Sequence, residues 1–347
     1  MARWRLPIKL DERKKRILAA IVEEYVATAK PVGSSYIANL FGNNMSSATI
    51  RNEMAFLYEI GLLEQPHISA GRIPSLNGYR FYTENILERN GIDELHKAKI
   101  ACLLESNPNQ KSILTMVSAI LAEITHCVAV LSTPHSKTDK IQHLEVSCTS
   151  NDLCIIILAT TAHTIRHKVC KFNHNISSNF LTALNTFLNN TFANRYLTDI
   201  TNSFVKSIIS TNLNEDTSFQ TILSPILLCI YQICLDSCNV DLYIKGRTNL
   251  LLYDEAKEDV AKALNLLEDP QKVLELMTTK SGELDIKVGQ NLGGSELKPF
   301  SILDACYTAK SLGEGHITII GPIKMRYKIS ASYVRYFAEI LPGYLKG

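Results

Sequence analysis

Thr49, Arg51 and Asn52 share one turn of sequence, and two of them are residue types that read nucleic-acid bases. Asparagine and arginine can each make paired hydrogen bonds to a base edge in the major groove, worth roughly 1–3 kcal/mol of discrimination apiece. Thr49 and Asn52 suit base-edge contact, and Arg51 suits either a guanine or a phosphate. Ser34, Ser35, Ser46 and Ser47 lie upstream, and His67, Ser69 and Arg72 lie downstream. Hydroxyls, imidazole and guanidinium in that arrangement suit phosphate oxygens. For each serine the plainer role of helix cap stays open. Arg72 is the strongest candidate of the last three, because an arginine beside a turn glycine has little else to bind.

No competing chemistry is visible. The chain lacks G-x-x-x-x-G-K-[ST], H-E-x-x-H and G-x-S-x-G, so no enzyme is expected. Cys229, Cys234 and Cys238 cluster in an apolar stretch, but no C-x-x-C pair exists, and core packing accounts for them. His163 and His167 would form a metal pair only on a helix; the alternation of HTIRHKVCK favours a strand. Gly293-Gly294 lacks the strand-to-helix context of a phosphate loop and reads as a connection. Neither a metal nor a cofactor is expected.

The recognition residues need a rigid helix beneath them. Ser46 and Ser47 can cap one, Ile50, Met54, Leu57 and Ile60 give it an inward stripe, and Ala48, Thr49, Asn52, Ala55, Phe56 and Glu59 take the opposite side. Gly61 can end it in the left-handed conformation. Leu62 to Gln65 and Arg72-Ile73 then suit two short strands around a turn at Ser69-Ala70-Gly71, with Pro74 stopping the pairing. Upstream, Asp11 can cap a helix with the stripe Ile17, Leu18, Ile21, Val22 and Tyr25. Lys30-Pro31-Val32-Gly33 breaks the chain, and Ser34 or Ser35 caps a second helix ended by Gly42. Three helices and a hairpin make a winged helix-turn-helix, whose second turn helix enters the major groove. Residues 75–90 add a fourth helix on Tyr79, Tyr82 and Ile86.

The first helix opens on Arg13, Lys14, Lys15 and Arg16, after Arg3, Arg5 and Lys9. Cations there oppose the helix dipole, and a nearby phosphate would favour them. As a basic arm this segment reads either as a phosphate contact or as a solvated tail.

With 347 residues the chain has room for two or three domains, and its net charge of +2 is near balance. It opens on charged residues and its apolar runs fall short of the roughly 20 residues that span a bilayer, so a cytoplasmic protein with no membrane segment is expected. Its nine cysteines read as free thiols rather than a disulfide framework. A helical linker is placed at 91–107. Beyond it a helix runs from Gln110 to about Thr125, and four apolar segments, 126–132, 140–148, 152–160 and 163–171, read as one antiparallel sheet. A helix at 177–190 covers it. Strands at 284–288 and 315–321 and a helix from Ser330 close the chain. The pattern is an α+β domain interrupted by an insertion, so 108–194 and 276–347 are its two parts. The inserted stretch, 195–275, holds an apolar helix around Ile222 to Leu235 and a hairpin from Leu242 to Tyr253, features that suit either self-association or a local core.

The stretches PVGSSYIA, SSATIRNEM, GLLEQPHISAGRIPSLNGYRFY, LYIKGRTNLLLYDEA and GHITIIGPIKMRY, in this order, resemble the heat-inducible transcription repressor HrcA family. Departures are Phe56 and Tyr58 where acidic residues are common, Ile68 where the wing has threonine, Gln290 for a glutamate, and Lys324 and Arg326 for arginine and aspartate. The resemblance implies a winged DNA-binding domain at 1–90, a GAF-like domain, and an inserted dimerisation domain. It implies a homodimer on double-stranded DNA carrying the CIRCE inverted repeat, repressing chaperone genes of the groE and dnaK type until heat releases it, with the GroE chaperonin maintaining the active form. Two other readings remain: a small-molecule-responsive regulator sensing through a GAF-like domain, and an enzyme acting on nucleic acid, against which the dispersed histidines argue.

Overall fold

The computed structural model describes residues 9–42, 45–88, 91–107, 109–136, 138–150, 153–162, 164–171, 177–211, 217–253, 257–289, 291–292, 295–296, 299–309 and 312–345. Arg3, Arg5, His163, Gln290 and Gly293-Gly294 lie outside these residues.

Helix α1, Glu12–Thr28, starts where the Asp11 side chain accepts from the Lys14 amide, and it buries Ile17, Leu18, Ile21 and Val22. Helix α2, Ser34–Leu40, has Gly33 at its N-cap without a side-chain bond, so neither Ser34 nor Ser35 caps it. Ser46 caps α3, Ser47–Glu59, whose buried face is Ile50, Met54 and Leu57. Strands β1, Leu63–Glu64, and β2, Ile73–Pro74, pair antiparallel. Pro74 is the partner of Leu63 instead of ending the pairing, because an edge strand tolerates its missing N–H. Val32 bridges Arg72 beyond the hairpin, and a Cβ on Gly71 would stand 2.3 Å from the Val32 carbonyl oxygen. Only glycine lets the wing return that close to the α1–α2 connection. Ser75 then caps α4, Leu76–Asn85, which buries Tyr79, Phe81 and Tyr82.

In the stretch read as a helical linker lies α5, Glu94–Glu105, with Ile100 and Leu104 buried. It leads to α6, Gln110–Thr125, and β3, Val128–Ser132, every residue of which is buried. Next come β4, Ile141–Ser150, β5, Leu153–Thr160, β6, Ile165–Lys171, α7, Ser178–Phe192, α8, Asn202–Thr211, and α9, Thr217–Cys238. The chain closes with β7, Leu242–Lys245, α10, Lys257–Glu268, α11, Pro270–Leu276, β8, Leu284–Val288, the small hairpin of β9, Asn291–Leu292, and β10, Ser295–Glu296, then β11, Phe300–Ala309, β12, Gly313–Pro322, and α12, Tyr327–Tyr344.

The four apolar segments between 126 and 171 do not share a sheet. β3 lies inside a five-stranded sheet of order β7-β3-β12-β11-β8, while β4, β5 and β6 form a sheet of their own. Contacts divide the chain into two units: residues 133–241 with 308–315 and 345–347, and the rest. Residues 195–241 thus lie in the first of these units and 242–275 in the second. The sheet of β4 to β6 shares its core with α7, α8 and α9, through Leu144, Ile156, Leu188, Ile208, Ile226 and Ile230. α10 and α11 pack instead on the five-stranded sheet, where Val260, Leu266, Val273 and Leu276 meet Val128, Val130 and Ile320. Segment 242–253 is no hairpin: β7 pairs with β3, and a 3-10 turn, Arg247–Leu252, follows Gly246.

One cysteine pair departs from the expected free thiols, because Cys148 and Cys154 face each other on β4 and β5 and are joined in a disulfide. Cys229, Cys234 and Cys238 are free thiols in or against the core of that unit, as packing required. Among the described residues no group of His, Cys, Asp or Glu could hold a metal ion, and no helix is long and apolar enough to cross a membrane.

Candidate nucleic-acid interface

The buried stripe fixes α3 by one side. Ile50 and Leu57 are fully buried and Met54 is nearly so, leaving Arg51 and Asn52 on exposed positions. Among the described residues neither has a hydrogen-bond or ion-pair partner, so their donors and acceptors are available to a ligand. Thr49 is half-buried: the Ser46 hydroxyl accepts its amide at 3.1 Å and lies 2.9 Å from its Oγ1. Ser47 Oγ lies 3.0 Å from Ser34 Oγ, which ties α3 to α2 and sets the angle of the turn motif. Ser35 is exposed.

The wing is held from within. Gln65 Nε2 donates to the carbonyls of Ile68 at 2.8 Å and Ala70 at 3.1 Å, and the Ala70 amide donates to the His67 carbonyl at 2.9 Å. His67 and Ser69 are exposed on this loop, and Ile68 between them is 99% exposed. Gln65 is a positioning residue that sequence reasoning missed; only its place at the base of a short hairpin could have flagged it.

Arg72 has a partner after all. Its guanidinium carbon sits 4.9 Å from the centroid of the Tyr58 ring, close enough for cation–π attraction, while its Nε is buried without a hydrogen bond. A residue from α3, fourteen positions away, answers the arginine beside the turn glycine. The aromatic at position 58 thereby has a local reason.

The cations that open α1 do not require a phosphate. Lys14 Nζ lies 2.7 Å from Asp11 and 3.2 Å from Glu53, Arg13 lies 3.7 Å from Glu53, and Lys15 lies 2.7 Å from Glu12. Lys14 also stands 5.1 Å from the Phe56 centroid, and Arg16 stands 5.0 Å from that of Phe41. The hydrogen bond between Lys14 and Asp11 pulls the carboxyl below its usual range and raises the ammonium. Carboxylates and rings of the protein itself offset the helix dipole here. Arg51, on the helix that also carries Asn52, has no such partner among the described residues.

Known proteins agree with this arrangement. The profile described as winged helix-turn-helix transcription repressor, HrcA DNA-binding, matches residues 9–86, and that of the HrcA protein C terminal domain matches 111–329. The heat-inducible transcription repressor HrcA of Ruminiclostridium cellulolyticum is 34% identical over 338 residues, covering 94% of this chain and 95% of the relative. That of Caldanaerobacter subterraneus subsp. tengcongensis is 33% identical over 325 residues, covering 92% of each. A solved crystal structure of a hypothetical protein shares the fold, with a TM-score of 0.61 and 22% identity over 97% of this chain and 98% of that one. With both profiles matched in order, and relatives aligned over nearly their whole length, the chain belongs to the HrcA family of heat-inducible transcription repressors, which are DNA-binding proteins and not enzymes.

Proposed function

We propose that this repressor binds the CIRCE inverted repeat as a homodimer and blocks transcription of chaperone genes of the groE and dnaK type by occlusion. The observation that carries the reading is the pair Arg51 and Asn52, exposed and unpartnered on a helix whose opposite side is locked into the core. Two copies of α3 related by a two-fold axis call for a two-fold symmetric site. The serines Ser34, Ser35, Ser46 and Ser47, with His67, Ser69 and Arg72 of the wing, flank the pair and supply phosphate contacts; Thr49 adds a base contact beside its bond to Ser46. The five-stranded domain corresponds to the GAF-like part and the unit of 133–241 to the inserted dimerisation part. Heat lowers the population of competent dimer, and the GroE chaperonin restores it.

The test is binding of the purified protein to a CIRCE duplex against one with a scrambled half-site, over a salt series. Asn52→Ala is expected to lower affinity for the intact site by roughly 5- to 150-fold, equivalent to about 1–3 kcal/mol, and to weaken binding to the duplex with a scrambled half-site less. Equal affinity of the wild type for both duplexes, falling steeply with salt, would overturn the operator reading.

A further inference from the structure

Four cysteines from three strands and one helix meet inside the unit of residues 133–241. Strand β5 runs between β4 and β6, and its Cys154 is the register partner of Cys148 on one side and Cys170 on the other. Directly opposed residues on neighbouring strands project to the same face, with strands about 4.8 Å apart, so three sulfurs form a row across the sheet. Cys148 and Cys154 carry the disulfide. Beyond them α9 packs on β6, and its Cys229 lies against the same core as Cys170 and is the neighbour that acts on the Cys170 thiol. Cys154 and Cys170 belong to the apolar core of the unit, and Cys148 and Cys229 pack against it.

A repressor works beside its DNA, where thiols are kept reduced and disulfides serve as transient or redox-sensing bonds more often than as struts. Exchange requires a thiolate to approach one sulfur of a disulfide from the side opposite the sulfur that leaves. The row across the sheet supplies this order: Cys170 as nucleophile, Cys154 at the centre, Cys148 as leaving group.

We propose that Cys148, Cys154, Cys170 and Cys229 form a thiol–disulfide exchange site that transfers a disulfide from the β4–β5 hairpin to the contact between β6 and α9. In the first step the Cys170 thiolate bonds to the Cys154 sulfur, the Cys148–Cys154 bond breaks, and Cys148 leaves as a thiolate that takes up the proton Cys170 released. In the second, the Cys229 thiolate bonds to the Cys170 sulfur, the Cys154–Cys170 bond breaks, and Cys154 leaves and is protonated. Cys170 and Cys229 end oxidised, Cys148 and Cys154 end reduced, and no outside oxidant is consumed.

The closed unit holds the exchange back. Burial, reinforced by the neighbouring Cys229, pushes the Cys170 thiol up to about 12. Released to an ordinary environment it would hold roughly a thousandfold more thiolate at neutral pH. β6 is an edge strand with Ile165 and Val169 exposed, the kind of segment that opens locally before the whole unit unfolds. Warming therefore starts the exchange, and the new bond closes a far longer loop than the old one, constraining the unfolded chain more strongly.

The full-length protein is oxidised with glutathione disulfide, held at low temperature or just below its melting temperature, then quenched in acid, alkylated and mapped by mass spectrometry. The Cys148–Cys154 crosslink is expected in the cold. Warming replaces it with Cys170–Cys229, leaves Cys148 and Cys154 alkylated, and raises Tm by about 5 °C. Cys229→Ser is expected to stall at Cys154–Cys170 with Cys148 alone released. Should that variant fail to fold, Cys148→Ser must on oxidation join Cys154 to Cys170 in the cold and pass that bond to Cys170–Cys229 on warming. Cys148–Cys154 as the sole crosslink after warming, in wild type and variant alike, overturns the assignment, as does the absence of any crosslink among the four.

Discussion

The two sheets of this chain handle burial in opposite ways. In the five-stranded sheet β3 is buried throughout, and β11 and most of β12 are buried at consecutive positions, so both faces of these strands are covered. In the three-stranded sheet β5 alternates strictly, with every second residue buried, and β6 is mostly exposed. A polar group in the first sheet has no water to turn to. Asp304, fully buried on β11, is accordingly bonded on both oxygens: Thr279 N donates to Oδ2 at 3.0 Å, Thr318 Oγ1 donates to Oδ1 at 2.8 Å, and His316 Nδ1 lies 3.2 Å from Oδ2. In the second sheet the demand arises at the edge. The amide of Asn185 on α7 both accepts from and donates to the backbone of Val146 on β4, and Asn189 does the same for Leu144. One edge of that sheet is closed by asparagines, while β6 at the other edge has no strand beyond it among the described residues and leaves Ile165 71% and Val169 51% exposed. A sheet covered on both faces is a place to store stability; a sheet covered on one face leaves surface for other uses.

That contrast can be broken at several points. Asp304→Ala strands the Thr279 amide and the Thr318 hydroxyl in a dry core and is expected to cost about 3–5 kcal/mol, read as the shift in urea midpoint. Truncating adjacent residues separates the two sheets more directly. On β12, Ile319→Ala and Ile320→Ala should each cost about 2–5 kcal/mol, because both side chains are buried. On β5, Ile156→Ala should cost the same while Ile157→Ala, half-buried, costs about 1 kcal/mol or less. Equal losses at 156 and 157 would mean that the second sheet is covered on both faces too.

Acid should act through the first sheet. Burial pushes the Asp304 carboxyl up, but the hydrogen bond and charge of His316 and the bonds from Thr279 outweigh it and hold the group below its ordinary value. A carboxylate that ionises more readily in the folded chain than in the unfolded one contributes fully above the unfolded value, near pH 3.9. The contribution drains as pH falls through the lower folded value. Asp304→Ala should therefore flatten the loss of urea stability on acidification below about pH 4, compared with the wild type. The smallest effect is expected on the β6 edge, where Ile165→Lys should change the urea midpoint by no more than about 0.5 kcal/mol equivalent.

What could be read without coordinates was what depends on near neighbours. Asp11 and Ser46 announce helix starts, and the stripe of Ile50, Met54 and Leu57 leaves Arg51 and Asn52 on the outside by rotation alone. The partition of the sheets could not be read in that way. The segments at 126–132 and 152–160 are equally apolar, and only pairing with strands more than a hundred residues away draws β3 out of the run. The same holds within the winged module. The residues that answer Lys14 and Arg72, Glu53 and Tyr58, both come from α3, and nothing in the stretches around positions 14 and 72 announces them.

The last helix of the winged module also sets a timetable. Arg80 on α4 donates to the carbonyls of Val288 at 3.0 Å and Gly289 at 3.1 Å, across 208 positions of sequence to the nearer of them. A ribosome adding about 5–20 residues per second needs roughly 10 to 40 seconds to make that stretch. Through that interval each new molecule carries a complete DNA-reading module whose guanidinium has no carbonyl to grip.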